Sequence, residues 1–355
     1  MQIVSIHAWL ERIPLTQSYA IAYQQVDHTE IVYLEIALAN GIVGYGASNP
    51  FAEVIGETPA QTLIHLQSDI AHTLIGRNIE DHALIIQDCY RLFPHYPGTY
   101  AAIDIALHDA LGKYAQKSVV DIYGRKINAL PTSITIGIKP IQEVLRDAQA
   151  YVKQGFSVFK LKTGLHVDED IERVVKMYEL LGNRIKLRVD ANLGYDPATL
   201  QQFLNHTQHI PIELIEQPLP VAESHHLKKY TAEIRSKLVA DESLTDLQSA
   251  KDLLADEPAF GVFNIKLMKA GGILAAKQIA DHAATKNIHL FWGCNDESLI
   301  SITAALHIAY ACPHTRYLDL DGSLDVNEQV FAGGFLLKDG VMYLTDSAGL
   351  GVHKK

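Results

Sequence analysis

Between Lys162 and Lys266 the chain repeats one event at nearly constant spacing: a short apolar run ends on a charged residue. The runs close on Lys162 (FKLK), Asp190 (LRVD), Glu216 (LIE), Asp241 (LVAD) and Lys266 (FNIK). The intervals are 28 (190−162), 26 (216−190), 25 (241−216) and 25 (266−241) residues, each about one strand, one helix and two short loops. Charges that end successive strands at one phase form a ring at one end of a parallel sheet. That pattern favours a closed (β/α) barrel, whose chemistry gathers at the carboxyl ends of its strands, over an open sheet. No GxGxxG or P-loop accompanies the strands, so a nucleotide-binding sheet is disfavoured. A charge at one strand end can simply mark the chain reaching solvent. Five in succession, each after an apolar run, do not fit that reading.

Eight strand candidates follow Pro131: Thr132–Ile138, Val158–Lys162, Lys186–Asp190, Glu213–Glu216, Leu238–Asp241, Val262–Lys266, His289–Gly293 and Tyr317–Leu320. With helical patterns between them they predict an α/β fold, a TIM-type (β/α) barrel over residues 126–330. Residues 1–125 read differently. Alternating strands at Gln2–Ala8, Glu30–Leu38 and Gly41–Ala47 precede helices near Ala60–Ile75, His82–Phe93 and Tyr100–Gln116, a small α+β domain. Residues 331–355 hold a hairpin pattern, GGFLLKDGVMYLT, that turns at Asp339-Gly340 and is expected to return to the N-terminal domain.

Hydrophobic residues make up 48% of the 355, enough for a large core. The net charge of −11 argues against nucleic acid or an anionic membrane as partner. Cys89, Cys294 and Cys312 are far apart and form no CxxC, which suits a reducing, cytoplasmic setting. The start, MQIVSIHAWLERIPL, lacks a signal-peptide pattern, and no apolar run reaches the ~18 residues of a membrane span. A homo-oligomer is expected. The histidines, including His206 and His209, sit in no zinc motif, Trp292 reads as packing, and Lys269 is expected to point away from the pocket.

Asp190, Glu216 and Asp241, converging from adjacent strands, would repel one another unless a cation stands between them. An oxygen-only set favours Mg²⁺, with Mn²⁺ possible. Lys162 and Lys266 on the flanking strands would face each other across a substrate bound there. Positive charge from Lys160 and the metal would lower the pKa of Lys162 enough for it to act as a base. Two bases on opposite faces allow a proton to leave from one side and return on the other, which is epimerisation.

The set Lys160-x-Lys162, Asp190, Glu216, Asp241 and Lys266 resembles the enolase superfamily, in its muconate-lactonising subgroup. The resemblance spans the whole chain and implies an enolase-like barrel, an N-terminal capping domain and one Mg²⁺ per subunit. Asp319-Leu-Asp321, in YLDLDG, is similar to the Asp-x-Asp of the dipeptide epimerases. It implies that both carboxylates hold the α-ammonium of a dipeptide while the C-terminal α-carbon is inverted. Asn192 would support the site, and DANLGY departs from the family's DANQGW at Leu193 and Tyr195. Muconate cycloisomerase and o-succinylbenzoate synthase are alternatives without an ammonium for Asp319 and Asp321. A non-catalytic metal- or peptide-binding barrel would not need the opposed lysines.

Two capping loops, near Tyr19–His28 and Pro50–Thr58, are expected to close over the barrel mouth. Relatives acting on Ala-Glu carry an Arg in the first; here AIAYQQVDH offers Gln24 and no Arg or Lys. Asp296 adds an acid after the seventh strand. The chain thus resembles the branch acting on cationic dipeptides, with Asp296 accepting the substrate's charge and Glu53 a second candidate. The alternatives are an L-Ala-D/L-Glu epimerase, and Asp296 as N-cap of a helix beginning at Glu297.

Overall fold

The structure, a computed structural model, describes residues 1–21, 24–327 and 330–355, without the side chains of 17–21 and 24–26. Its centre is a ring of eight parallel strands: Ile134–Ile136, Val158–Lys162, Lys186–Asp190, Ile212–Glu216, Leu238–Ala240, Val262–Ile265, His289–Gly293 and Thr315–Asp319. Each pairs with its neighbours in chain order. The ring closes where Thr132 bridges Leu318 and the Ser133 amide donates to the Leu318 carbonyl at 3.0 Å.

Alternation along the strands sorts the two faces. Phe159, Leu161, Leu187 and Val189 point outward into the main core beneath the helices. Leu214, Val239, Val262 and Phe291 point inward and form an apolar floor. Charge begins immediately above it. The Lys160 ammonium stands 5.7 Å over the Phe291 ring and the Arg188 guanidinium 5.1 Å from it. Every further inward position brings the strands closer to the polar mouth.

The N-terminal domain is a three-stranded antiparallel sheet, Ile3–Ile21, Gln24–Leu38 and Val43–Ser48, packed on the helix Pro97–Ala115. Gly44 and Gly46 permit that contact, since a Cβ on either would lie 2.3 or 2.1 Å from the Ala106 or Ala102 carbonyl. The first two strands run far beyond the local alternation because the barrel supplies extra partners. The Thr16 amide donates to the Asp325 carbonyl at 2.7 Å, and the Asn327 amide to that of Pro14 at 3.2 Å. The helix expected over Ala60–Ile75 is two, Pro59–Leu66 and Asp69–His72, divided at Ser68, whose hydroxyl caps the second. Asp104 joins the domains, its carboxylate accepting the Ile273 and Leu274 amides at the start of the barrel helix Ile273–Ala284.

The C-terminal hairpin, Phe335–Lys338 and Val341–Leu344, turns at Asp339 and Gly340, both left-handed. It pairs with Ala129–Pro131, at the entry to the barrel, and not with the capping sheet. The flanking pair Phe331–Gly333 and Val352–Lys354 meets the capping domain, where Lys354 bonds Glu35 at 2.8 Å.

His307 ties three segments together. Its Nδ1 accepts from the Val120 amide at 3.1 Å and its Nε2 donates to the Leu350 carbonyl at 3.3 Å. This pattern needs the neutral ring, because a protonated Nδ1 would face another N–H. Burial lowers the pKa from 6.5 to about 4. The unfolded chain therefore takes up a proton near pH 6.5 that the folded chain refuses until near 4. Stability from His307 is complete above 6.5 and is lost as pH falls through this window, by about 3 kcal/mol. In urea unfolding, His307→Gln should lose less stability than wild type between pH 7 and 4.5; equal losses would assign the acid sensitivity elsewhere.

Candidate active site

The inward residues at the carboxyl end of the barrel form a dense alternation of carboxylates and lysines. Lys162, Asp190 and Glu216 lie side by side across paired strands. Asp241 follows immediately after the fifth strand and Lys266 after the sixth. Lys162 and Lys266 belong to strands two and six of eight, so they stand on opposite sides of the ring.

Lys160 is the hub. Its ammonium lies 3.0 Å from Asp190, 2.9 Å from Glu216 and 2.7 Å from Asp319. Burial opposes its charge, but Asp190, Asp319 and Glu216 outweigh burial and hold its pKa well above the ordinary value. Lys162 bonds Asp190 at 2.8 Å and the Asn192 side-chain oxygen at 2.9 Å. Lys266 bonds Asp241 at 2.9 Å. Burial works against the Lys266 ammonium too, and Asp241 outweighs it, raising the pKa.

Lys269 overturns an expectation. Instead of pointing away, it is buried, with its ammonium on the Asp241 carboxylate and carbonyl. The helical turn Leu267–Ala270 swings it back under the strand end, which strand periodicity does not predict. Asn264 was not singled out by sequence, though it lies two residues before Lys266 on the same inward face. Its amide donates to Glu216 at 2.7 Å. Gly293 leaves it room, as a Cβ there would come within 2.4 Å of the Asn264 oxygen.

Charge is not balanced within this ring. Asp190, Glu216, Asp241, Glu242, Asp319 and Asp321 are six carboxylates; Lys160, Lys162, Lys266 and Lys269 are four ammonium groups. With every carboxyl ionised, the set would carry two negative charges in excess. Their effect appears at Glu216, whose carboxyl is pushed up to about 8 by burial and by Asp190. Asp190, by contrast, resists burial through Lys160 and Lys162 and falls to about 2. Among the described residues no three His, Cys, Asp or Glu side chains enclose a shared cation position, and the Lys160 ammonium lies against Asp190, Glu216 and Asp319. The all-oxygen donor set and the surplus of two charges fit a hard divalent cation.

Comparison with known proteins identifies the architecture. Residues 143–355 match the enolase C-terminal domain-like family, and residues 4–124 the mandelate racemase/muconate lactonizing enzyme N-terminal domain. The chain belongs to the enolase superfamily. An L-Lys-D/L-Arg epimerase of Desulforapulum autotrophicum is 42% identical over 354 residues, 100% of each chain. The crystal structure of a dipeptide epimerase from Methylococcus capsulatus, complexed with Mg and the dipeptide L-Arg-D-Lys, superposes with a TM-score of 0.97. It is 42% identical, with 99% of each chain covered. The L-Ala-D/L-Glu epimerase of Bacillus subtilis is 29% identical over 355 residues, 99% of this chain and 97% of the relative.

In this enolase-superfamily chain the Asp-x-Asp residues have distinct surroundings. Asp319 accepts from Lys160 and from the Ser133 hydroxyl, at the seam that closes the barrel. Asp321 accepts from the Thr135 amide at 2.7 Å, and burial beside Asp319 raises its carboxyl to about 7. Asp296 is half-buried between barrel and capping domain, its carbonyl accepting from the Thr29 hydroxyl at 2.9 Å. It is not a helix cap. The helix runs Leu299–Ala311, and Ser298 caps it by accepting from the Ile300 and Ser301 amides. Glu53 is exposed on the turn Ala52–Ile55, and among the described residues no hydrogen bond or ion pair ties it to the barrel mouth. The side chain of Gln24 lies outside the described residues. No helix among the described residues is long and apolar enough to cross a membrane.

Proposed function

We propose that this chain is a dipeptide epimerase that inverts the α-carbon of the C-terminal residue and acts on dipeptides carrying Lys or Arg. The observation that carries the reading is the pair Lys162 and Lys266 on opposed sides of the ring, flanking the buried carboxylates Asp190, Glu216 and Asp241. The 42% identity to an L-Lys-D/L-Arg epimerase along the whole chain supports the substrate class. So does the fold's likeness to a protein solved with Mg and L-Arg-D-Lys.

Asp190, Glu216 and Asp241 would hold the Mg²⁺. The bound ion supplies positive charge to the substrate carboxylate as acidity develops at the α-carbon. One lysine, in its amine form, takes the α-proton from one face. The other, as ammonium, gives a proton to the opposite face, so the product is the epimer and the two lysines have exchanged protonation states. Asp319 and Asp321 meet the substrate's α-ammonium, a charge-assisted contact that fixes which end of the dipeptide enters first. Incubating Lys- and Arg-containing dipeptides with the protein in D₂O should give inverted product with one deuterium at the α-carbon. Absence of both inversion and exchange across such a library would overturn the reading.

Asp296 is assigned the side-chain charge of the substrate, and it sits where capping domain and barrel mouth meet. Asp296→Asn should reduce kcat/KM for Lys- or Arg-containing dipeptides relative to Ala-Glu by about 30-fold, or about 2 kcal/mol for a partly desolvated pair. An unchanged ratio would remove Asp296 from substrate recognition.

A further inference from the structure

We infer that Glu242 is a positioning residue for Lys162, acting through the side chain of Asn192. The inference rests on the epimerase reading above. An Asn side chain has two ends of nearly equal shape, one a donor and one an acceptor, and its neighbours decide which way it faces. Here the Asn192 nitrogen donates to Glu242 at 3.2 Å, and its oxygen accepts from Lys162 at 2.9 Å. A carboxylate can only accept. Glu242 therefore compels the amide nitrogen toward itself and turns the oxygen to the lysine. Reversed, the amide would set N–H against the Lys162 ammonium on one side and oxygen against the Glu242 carboxylate on the other.

The backbone is shaped to hold this arrangement. Asn192 is left-handed (φ 41°), and its amide donates to the Asp190 carboxylate at 3.0 Å. Buried Gln217 sits between the two turns involved. Its carbonyl accepts from the Leu193 amide at 2.9 Å, and its side-chain oxygen accepts from the Asp241 and Ser243 amides, each at 3.1 Å. The turn bearing Glu242 is thus bracketed on both sides and fixed relative to the turn bearing Asn192.

Two further observations argue against a merely structural Glu242. Its second oxygen is buried without a hydrogen-bond partner among the described residues. It also adds negative charge beside Asp241 and Asp190, where a neutral residue would pack at lower cost. The need arises once Asp190 is committed to the cation. Lys162 has two anchors, Asp190 and Asn192, and only Asn192 is then left to hold its nitrogen toward the α-carbon. Among the described residues Lys266 makes no hydrogen bond to this pair; it bonds Asp241, and the Glu242 carboxylate reaches it only through space.

The effect should therefore fall on one face of the substrate. The test uses the full-length protein with Mg²⁺ and the pair L-Lys-L-Arg and L-Lys-D-Arg, following α-proton exchange of each isomer in D₂O at early times. Lys162→Ala first shows which isomer depends on Lys162. Asn192→Ala against wild type, and Glu242→Leu against Glu242→Gln, which removes the same charge beside Lys266, should slow exchange of that isomer 10-fold or more and leave exchange of the other within about 3-fold. Deuterium incorporation without inversion should rise for the second isomer, because reprotonation by Lys162 is then the slow step. Glu242→Gln keeps an acceptor oxygen and should recover much of the loss. Equal slowing of both isomers in these two comparisons, or no slowing in either, overturns the positioning role while leaving the epimerase reading intact. No exchange of either isomer by the wild-type protein overturns both.

Discussion

Lys162→Ala and Lys266→Ala should each remove epimerisation, lowering turnover by roughly 10²–10⁴-fold, the usual contribution of a positioned general acid or base. Neither change should disturb the fold. Lys266 leaves Asp241 still paired with Lys269, and Lys162 leaves Asp190 still paired with Lys160. The informative measurement is isotope exchange in D₂O. A variant with one lysine can still remove and return the α-proton of the isomer that presents it to that lysine. Each variant should therefore exchange one isomer without inverting it, and the two variants should be complementary. A variant that epimerises at close to the wild-type rate would show that its lysine is not a base, and a single-base or water-mediated route would take its place. Exchange of the same isomer by both variants would place the lysines on one face, against their positions on strands two and six.

The sequence exposes the ring because barrel strands are short, regular and alternating. A charge that ends one strand predicts its neighbours by count alone, and three strands, Val158–Lys162, Lys186–Asp190 and His289–Gly293, have the bounds that alternation suggests. What pairs with what inside the ring is another matter. Spacing gives no sign that Lys160 bridges three carboxylates, or that a single helical turn folds Lys269 back onto Asp241. Both depend on contacts between strands roughly 25 to 160 residues apart. The capping hairpin was half legible for the same reason. Its outer part is held by residues 325–327 of the barrel, a partner that local alternation cannot reveal. Asn264 could have been found. It is the one uncharged polar side chain on the inward face of VFNIK, and an amide in that position calls for a carboxylate opposite. Asp296 shows the limit of reading caps from sequence: SLI after Asp296-Glu297 offers Ser298, a better placed N-cap than either acid.

Removing divalent metal should abolish activity reversibly, and Glu216→Gln should separate the cation's effect on stability from its effect on chemistry. Glu216 is where the ring's surplus charge is concentrated, its carboxyl raised from 4.5 to about 8 by burial and Asp190. A carboxyl with a raised folded pKa holds its proton in the native state after the unfolded chain has released it. Stability is therefore lost as pH rises from about 4.5 through 8, in the metal-free protein. Gln has the same shape and no charge to bury, and its amide can be met by rotation of Asn264. At pH 9 in EDTA, Glu216→Gln should consequently melt at a higher temperature than wild type. Added Mg²⁺ should reverse the order. A cation bound only by the native state stabilises it by RT ln(1 + [Mg²⁺]/Kd), about 2.7 kcal/mol at a hundredfold excess over Kd. Wild type should gain that increment, several degrees in midpoint, while the variant, with one anionic donor fewer, should gain little and remain inactive. Full wild-type activity after exhaustive chelation would exclude a catalytic cation. Equal Mg²⁺ stabilisation of wild type and variant would leave Glu216 outside the cation's coordination, and the surplus charge of the ring would then have to be met by the substrate's own ammonium and side-chain cation.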